Sequence, residues 1–104
     1  MIQINIASDF SKTPGARNYS DGPYSGEEFY HKVLSPKFKE AINENSKLEI
    51  ILDGTAGYAS SFLNESFRLL GKEYGAEVVW QNLIIISNEV PKYIQKIKEA
   101  LNEK

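Results

Sequence analysis

Cysteine does not occur in this 104-residue chain. Disulfides and thiolate metal sites are therefore excluded, thiol redox chemistry goes with them, and the lack fits a reducing cytosol. Histidine occurs once, His31, and no group of Asp and Glu has metal-ligand spacing, so neither a metal nor a cofactor is expected. No run approaches the roughly 18 apolar residues of a membrane span, and the opening MIQINIASDF lacks the basic flank and the apolar stretch of about 7 to 15 residues of a signal peptide. The expectation is a cytoplasmic protein with no membrane role. Excess positive charge is missing too: 12 Lys and Arg stand against 14 Asp and Glu, a net charge of -2 that has little to offer a phosphate backbone, so nucleic acid is not an expected partner. The basic cluster of Lys92, Lys96, Lys98 and Lys104 is interleaved with Glu99 and Glu103 and reads as a solvated helix face.

What is present suits one core. Hydrophobic residues make up 41% of the chain, enough for a single domain over residues 1–104 without staples. Ile2, Ile4 and Ile6 alternate with Gln3 and Asn5, the pattern of a strand buried on one face. From Asp9 to Pro23 the turn formers Pro14, Gly15, Asn18, Asp21, Gly22 and Pro23 predict a hairpin arm or ordered loop, with room for a short strand around Ala16 to Tyr19. Ser25 and Glu28 form a capping box that starts a helix over 26–44, which Ser35-Pro36 should kink.

Leu48 to Leu52 reads as a central strand that ends in Asp53-Gly54 and opens into a loop. Leu63, Ser66, Phe67, Leu70 and Tyr74 then recur at helical spacing from Ser60 onward, with Gly75 as the stop. Ala76 to Asn82 is open between a further helical turn and the start of a strand, while Leu83-Ile84-Ile85-Ile86 suits a strand covered on both faces. Asn88 is read as the cap of a last helix whose seam is Val90, Ile94, Ile97 and Leu101. Helices that regularly follow strands predict an α/β fold with a mixed, mostly parallel sheet of about four strands and three main helices.

In such a sheet the working surface lies beyond the carboxyl ends of the strands, here the loop from Asp53 to Ser61. A haloacid-dehalogenase-type phosphatase needs Asp-x-Asp-Gly-Thr, and Ile51 occupies the nucleophile position. A phosphate-cradling P-loop needs a lysine, and none lies between Lys47 and Lys72. A serine hydrolase would draw on Ser60 or Ser61 with His31, but Tyr58-Ala59 and Phe62 do not form a nucleophile elbow. A serine pair at a helix start remains. Its structural role is an N-cap; its functional one is a phosphosite, since a phosphate there faces the helix's own unpaired amides while presenting a docked partner with new charge.

The spans Ser25-Gly26-Glu27-Glu28-Phe29 and Leu52-Asp53-Gly54-Thr55-Ala56-Gly57-Tyr58-Ala59-Ser60-Ser61-Phe62-Leu63-Asn64-Glu65 resemble a bacterial family of small STAS-like domains of unknown function. The resemblance extends over nearly the whole chain, through Asp9-Phe10-Ser11, Pro14-Gly15 and Ile85-Ile86-Ser87-Asn88. STAS names the fold of sulfate transporters and anti-sigma-factor antagonists. In those antagonists the matching strand-loop-helix carries Asp-Ser-Ser-Gly, and a partner that is a histidine-kinase-like ATPase phosphorylates its first serine. By position that serine is Ser60; Ala59 stands in place of the aspartate and Phe62 in place of the glycine, so the resemblance implies docking more directly than phosphorylation.

The leading expectation is a non-catalytic regulatory interaction module that docks such an ATPase through Tyr58, Ala59, Ser60, Ser61, Phe62 and Glu65, with Ser60 as phosphosite. A second is a ligand-binding domain that holds a nucleotide or small anion at the same helix start, through Asp53, Gly54, Thr55 and Gly57. A third, an enzyme, would need a pocket that joins Asp53, His31 and Ser60. Oligomeric state stays open, with the edge at Ile2 to Ile6 able to pair with another copy or to remain solvated.

Overall fold

The alternating start of the chain becomes a strand, β1 (Ile2–Asn5), which buries Ile4 completely. The strand stops one residue before Ile6, because the Asn5 side chain accepts a hydrogen bond from the Ser8 N–H and turns the chain into a single helical turn, α1 (Ile6–Asp9). These are the first elements of a computed structural model that describes residues 2–103.

The arm that follows is not a strand. Gly15 donates its N–H to the Tyr24 carbonyl, and the carbonyls of Ala16 and Arg17 accept from the amides of Gly26 and Glu27. The backbone groups that would have built a sheet edge instead satisfy the bare amides of a helix start, and Tyr19–Asp21 forms one tight 3-10 turn. The expected strand at Ala16 to Tyr19, and the antiparallel part of the sheet with it, are thereby corrected.

Ser25 caps α2 (Gly26–Phe29) by accepting from the Glu28 N–H, the predicted half of a capping box; the Glu28 carboxylate accepts from the Tyr24 N–H, not from Ser25, so the reciprocal half does not form. In place of a kink, the chain widens into a π-helical turn at Tyr30–Leu34 and continues as α3 (Ser35–Asn43). Pro36 lacks an N–H and crowds the turn before it; widening that turn absorbs both effects without a sharp bend.

Next come β2 (Leu48–Ile51), α4 (Ser60–Tyr74), α5 (Ala76–Gln81), β3 (Leu83–Ile86) and α6 (Lys92–Leu101). Gly75 ends α4 with φ 92, a left-handed conformation that few other residues adopt. The open segment Ala76 to Asn82 is settled as helix. Asn88 does not cap α6, which begins after Pro91; its N–H is instead bonded to the Asp53 carboxylate.

Among the described residues the sheet has three strands in the order β1-β2-β3, all parallel, in place of the expected mixed sheet of about four. With sequential order and right-handed crossovers, the connecting helices stack on one face. Ile4, Ile50 and Ile85 share a register row on that face, and Ile4 and Ile50 are fully buried. The opposite face carries Gln3, Glu49 and Ile84 in one row and Asn5, Ile51 and Ile86 in the next, none of them buried.

The core runs from Ile4, Ile6 and Phe29 through Leu34, Phe38 and Leu48 to Phe62, Phe67, Leu70 and Ile97. Each such side chain contributes on the order of 1.5–3 kcal/mol by leaving water. Among the described residues no helix is long and apolar enough to cross a membrane.

Candidate functional site

The carboxyl ends of β2 and β3 converge on the loop that precedes α4. Asp53, just after β2, accepts hydrogen bonds from the N–H groups of Asn88 at 3.1 Å and Glu89 at 2.9 Å; Glu89 in turn accepts from the Gly54 N–H at 2.9 Å. The two strand ends are thus laced together by carboxylates that take backbone donors. Gly57 donates to the Thr55 hydroxyl at 3.2 Å, Tyr58 to the Tyr93 hydroxyl at 3.2 Å, and Ala56 to the Lys12 carbonyl at 2.8 Å.

The amides of Gly54, Ala56, Gly57 and Tyr58 are therefore committed inside the protein. An anion would find no cradle in this stretch. A small pocket of about 170 Å³ does lie here, lined by Asp53, Thr55, Gly57, Glu89 and Tyr93 among others, but its charged members are both acidic. Of the four residues expected to hold a ligand, Asp53, Thr55 and Gly57 share this pocket, whereas Gly54 contributes only its bond to Glu89.

Tyr58 is half-buried. Its hydroxyl donates to the Leu52 carbonyl at 2.8 Å, its ring stands edge-on to Tyr93 at 5.2 Å, and burial pushes its pKa up to about 12. The next residue, Ala59, is exposed and is the N-cap of α4, with extended backbone and no side chain able to cap. Ser60 and Ser61 fall in the first turn rather than at the cap, so the N-cap role expected of the pair is corrected. Phe62 and Leu63 turn their N–H groups back to the Ala59 carbonyl. Among the described residues, the Ser60 and Ser61 amides and hydroxyls have no hydrogen-bond partner, and Ser60 is exposed.

Two residues expected at a docking surface are interior. Phe62 is fully buried at the centre of an aromatic cluster, 5.5 Å from Phe29, 5.7 Å from Tyr58 and 6.1 Å from Phe10. One turn along the helix it precedes Ser66, itself fully buried, and that spacing was the signal for its place in the core. Glu65 is 6% exposed and engaged by two arginines, Arg68 at 2.9 Å and Arg17 of the arm at 3.3 Å. Its pairing anchors the arm to α4; it is not free for a partner. Sequence reasoning missed Glu89 and Tyr93, which lie 35 residues from their partners at Gly54 and Tyr58, a relation no local pattern encodes.

Close approach sets the helix start in place. A Cβ on Gly26 would lie 2.5 Å from the Phe62 carbonyl oxygen, so only glycine lets α2 rest against the first turn of α4. Ser60 faces a shallow groove with Asn64 and with Lys96, Glu99 and Glu103 from the C-terminal end of the chain. Asp53 and Ser60 line different pockets, and His31 is exposed on the wide turn beside the Tyr30 ring, so the three residues an enzyme would join stay apart.

The family model described as STAS-like domain of unknown function (DUF4325) matches residues 25–93, from the cap of α2 through Tyr93. No curated protein and no solved structure matches the chain. With the match spanning more than half of its length, and with the strand-loop-helix just described inside it, the chain belongs to the family of STAS-like domains of unknown function.

Proposed function

We propose that this domain is a non-catalytic regulatory module that docks a histidine-kinase-like ATPase through the loop and first turn of α4, and that the partner phosphorylates Ser60. One observation carries the reading: Ser60 is exposed, its hydroxyl has no partner among the described residues, and it opens a 15-residue helix that no side chain caps. A phosphate on Ser60 would add about 1.5 to 2 negative charges beside unpaired amides and the positive end of the helix, where its own fold tolerates it. The same charge would confront anything docked over Ala59 and Ser60. The docking surface is reduced to Ala59 and Ser60, with Tyr58 and Ser61 at its margin, since Phe62 and Glu65 are interior. The partner class rests on the likeness of this loop to that of the anti-sigma-factor antagonists.

The alternative, a nucleotide or anion held at the start of α4 through Asp53, Gly54, Thr55 and Gly57, is disfavoured because the Gly54 amide is taken by Glu89 and the other three line a pocket with two carboxylates, apart from the groove at Ser60. A thermal shift with ATP, GTP or phosphate separates the readings, and we expect no change in melting temperature. Affinity purification from the native host, with mass spectrometry of co-purifying proteins and of the peptide from Gly54 to Arg68, tests the proposal itself. An ATPase of the named class recovered together with phosphate on Ser60 is the expected result. The ATPase with bare serines would retire the switch and leave docking; no stoichiometric protein and no phosphate would overturn both.

A further inference from the structure

We infer that two copies of this chain pair through the outer edges of β3, antiparallel about a two-fold axis at Ile84, to form one continuous six-stranded sheet. The inference starts from the hydrogen-bond pattern. Leu48 donates to the Asn82 carbonyl and Leu52 to the Ile86 carbonyl, so in a parallel ladder the even-numbered residues of β3 turn their backbone groups toward β2. Leu83 and Ile85 turn theirs outward. Among the described residues, nothing bonds to the outward groups of Ile85.

Native sheets protect such an edge with charge, proline, a bulge or a covering segment. The stretch Gln81-Asn82-Leu83-Ile84-Ile85-Ile86-Ser87-Asn88 carries no charge and no proline. The other edge of the sheet is treated differently. There the Asp9 carboxylate takes the Asn5 N–H at 2.8 Å and the Ser8 hydroxyl donates to the Asn5 carbonyl at 3.5 Å, while Lys32 and Lys37 stand nearby with Asp9 around a surface cavity.

A second copy fits the open edge because the segment is complementary to itself. Antiparallel pairing about Ile84 sets Leu83 opposite Ile85 of the second copy and Ile85 opposite its Leu83, both pairs with their backbone groups directed at each other. Beyond those two pairs Asn82, which closes α5, comes opposite Ile86, and no like charges face one another across the axis. Ile84 meets Ile84 on the face that no helix covers, where it and Ile86 are half-buried and lie outside the hydrophobic core. Pairing about the two-fold axis uses the β3 edge of both copies, and at each remaining β1 edge Asp9 already takes the Asn5 N–H and leaves only Gln3 with outward backbone groups, so the assembly stops at two copies.

The test uses the full chain. Sedimentation equilibrium is expected to show a species of twice the chain mass, and Ile84→Lys, which places two ammonium groups on the axis, is expected to return it to the monomer with an unchanged far-ultraviolet spectrum. Because the chain has no cysteine, Ile84→Cys supplies a single thiol. Residues facing each other in a non-hydrogen-bonded antiparallel pair sit about 4.5 Å apart at Cα, inside the roughly 4.4–6.8 Å that a disulfide spans. Mild oxidation should therefore link Ile84→Cys chains into a covalent dimer and leave Gln3→Cys, on the same face at β1, unlinked. A native chain that stays monomeric at millimolar concentration overturns the inference, as does a dimer whose Ile84→Cys variant does not cross-link. Should Ile84→Lys fail to fold, the cysteine pair still decides.

Discussion

Asp53 and Glu89 hold each other's loops in place: the Asp53 carboxylate accepts from the Glu89 N–H at 2.9 Å, and the Glu89 carboxylate accepts from the N–H of Gly54, the residue after Asp53, at the same distance. Both bonds tie a charged acceptor to a backbone donor, the kind that contributes about 1.5–3 kcal/mol when well made. They fix the loop from which α4 departs.

Asp53→Ala removes the bonds from the Glu89 and Asn88 N–H groups and is expected to lower stability by about 1–3 kcal/mol, read as a lower urea midpoint with an unchanged slope. Glu89→Gln keeps an oxygen for the Gly54 N–H and should cost less than about 1 kcal/mol. Equal effects from the two variants would show that the reciprocal bonds do not order the loop.

Phe62 and Ser60 are two residues apart and should respond in opposite ways to truncation. Phe62→Ala empties the centre of the aromatic cluster, at a cost of about 3–5 kcal/mol. Ser60→Ala removes a hydroxyl without a partner and should stay within about 0.5 kcal/mol of the native chain while abolishing phosphate incorporation. Chemical unfolding of both variants checks this, and a costly Ser60→Ala would assign that hydroxyl a structural bond.

Ala59 sits at the N-cap of α4 with extended backbone suited to a capping side chain. Ala59→Asp should therefore raise stability by about 1 kcal/mol, some 4–8 °C in a thermal melt of a domain this size. No increase would mean that the unpaired amides of the first turn are already satisfied by water at little cost.

Glycine to alanine inside an exposed helix ordinarily gains up to about 1 kcal/mol. At Gly71 the sign should reverse, because the added methyl would meet the Leu101 carbonyl at the end of α6, and overpacking of that kind costs about 1–3 kcal/mol. A stabilised Gly71→Ala would show that α6 can move away from α4 freely.

Alkaline pH should weaken the fold through Tyr58. Its pKa is raised by burial from 10.0 to about 12, so the stabilisation is complete below the unfolded value and is lost as pH rises through the folded one. Tyr30 is pushed up too, first by burial and then by its hydrogen bond to Glu73, so Tyr58→Phe should flatten the decline over pH 10 to 12 without removing it. Urea midpoints across that window that fall equally in both proteins would count against the assignment.

Much of the local structure was legible in the residues. The Ser25 cap and the stripe from Leu63 to Tyr74 ending at Gly75 each depend on neighbours within a turn or two, and the structure places their helices where that spacing predicted. The choice between an ordered loop and a short strand at Ala16 to Tyr19 stayed open in the sequence, because the carbonyls of Ala16 and Arg17 find their donors at Gly26 and Glu27 only after the arm folds back on α2. The site divided the same way. Ser60 at the start of a helix could be read directly, whereas the burial of Phe62 and Glu65 depends on Phe10, Phe29 and Arg17, which come from other elements.

By itself, then, the sequence determined the alternation of strands and helices, the absence of thiol chemistry and the placement of two serines at a helix start, because these follow from composition and short-range periodicity. Only the tertiary structure decided that all three strands run parallel, that the amides of Gly54, Ala56, Gly57 and Tyr58 are taken up within the protein while those of Ser60 and Ser61 are not, and that Asp9 occupies the Asn5 end of the β1 edge while the β3 edge is open. Those outcomes turn on which backbone donors meet which acceptors across tens of residues, and that pairing is set when the helices pack on one face of the sheet.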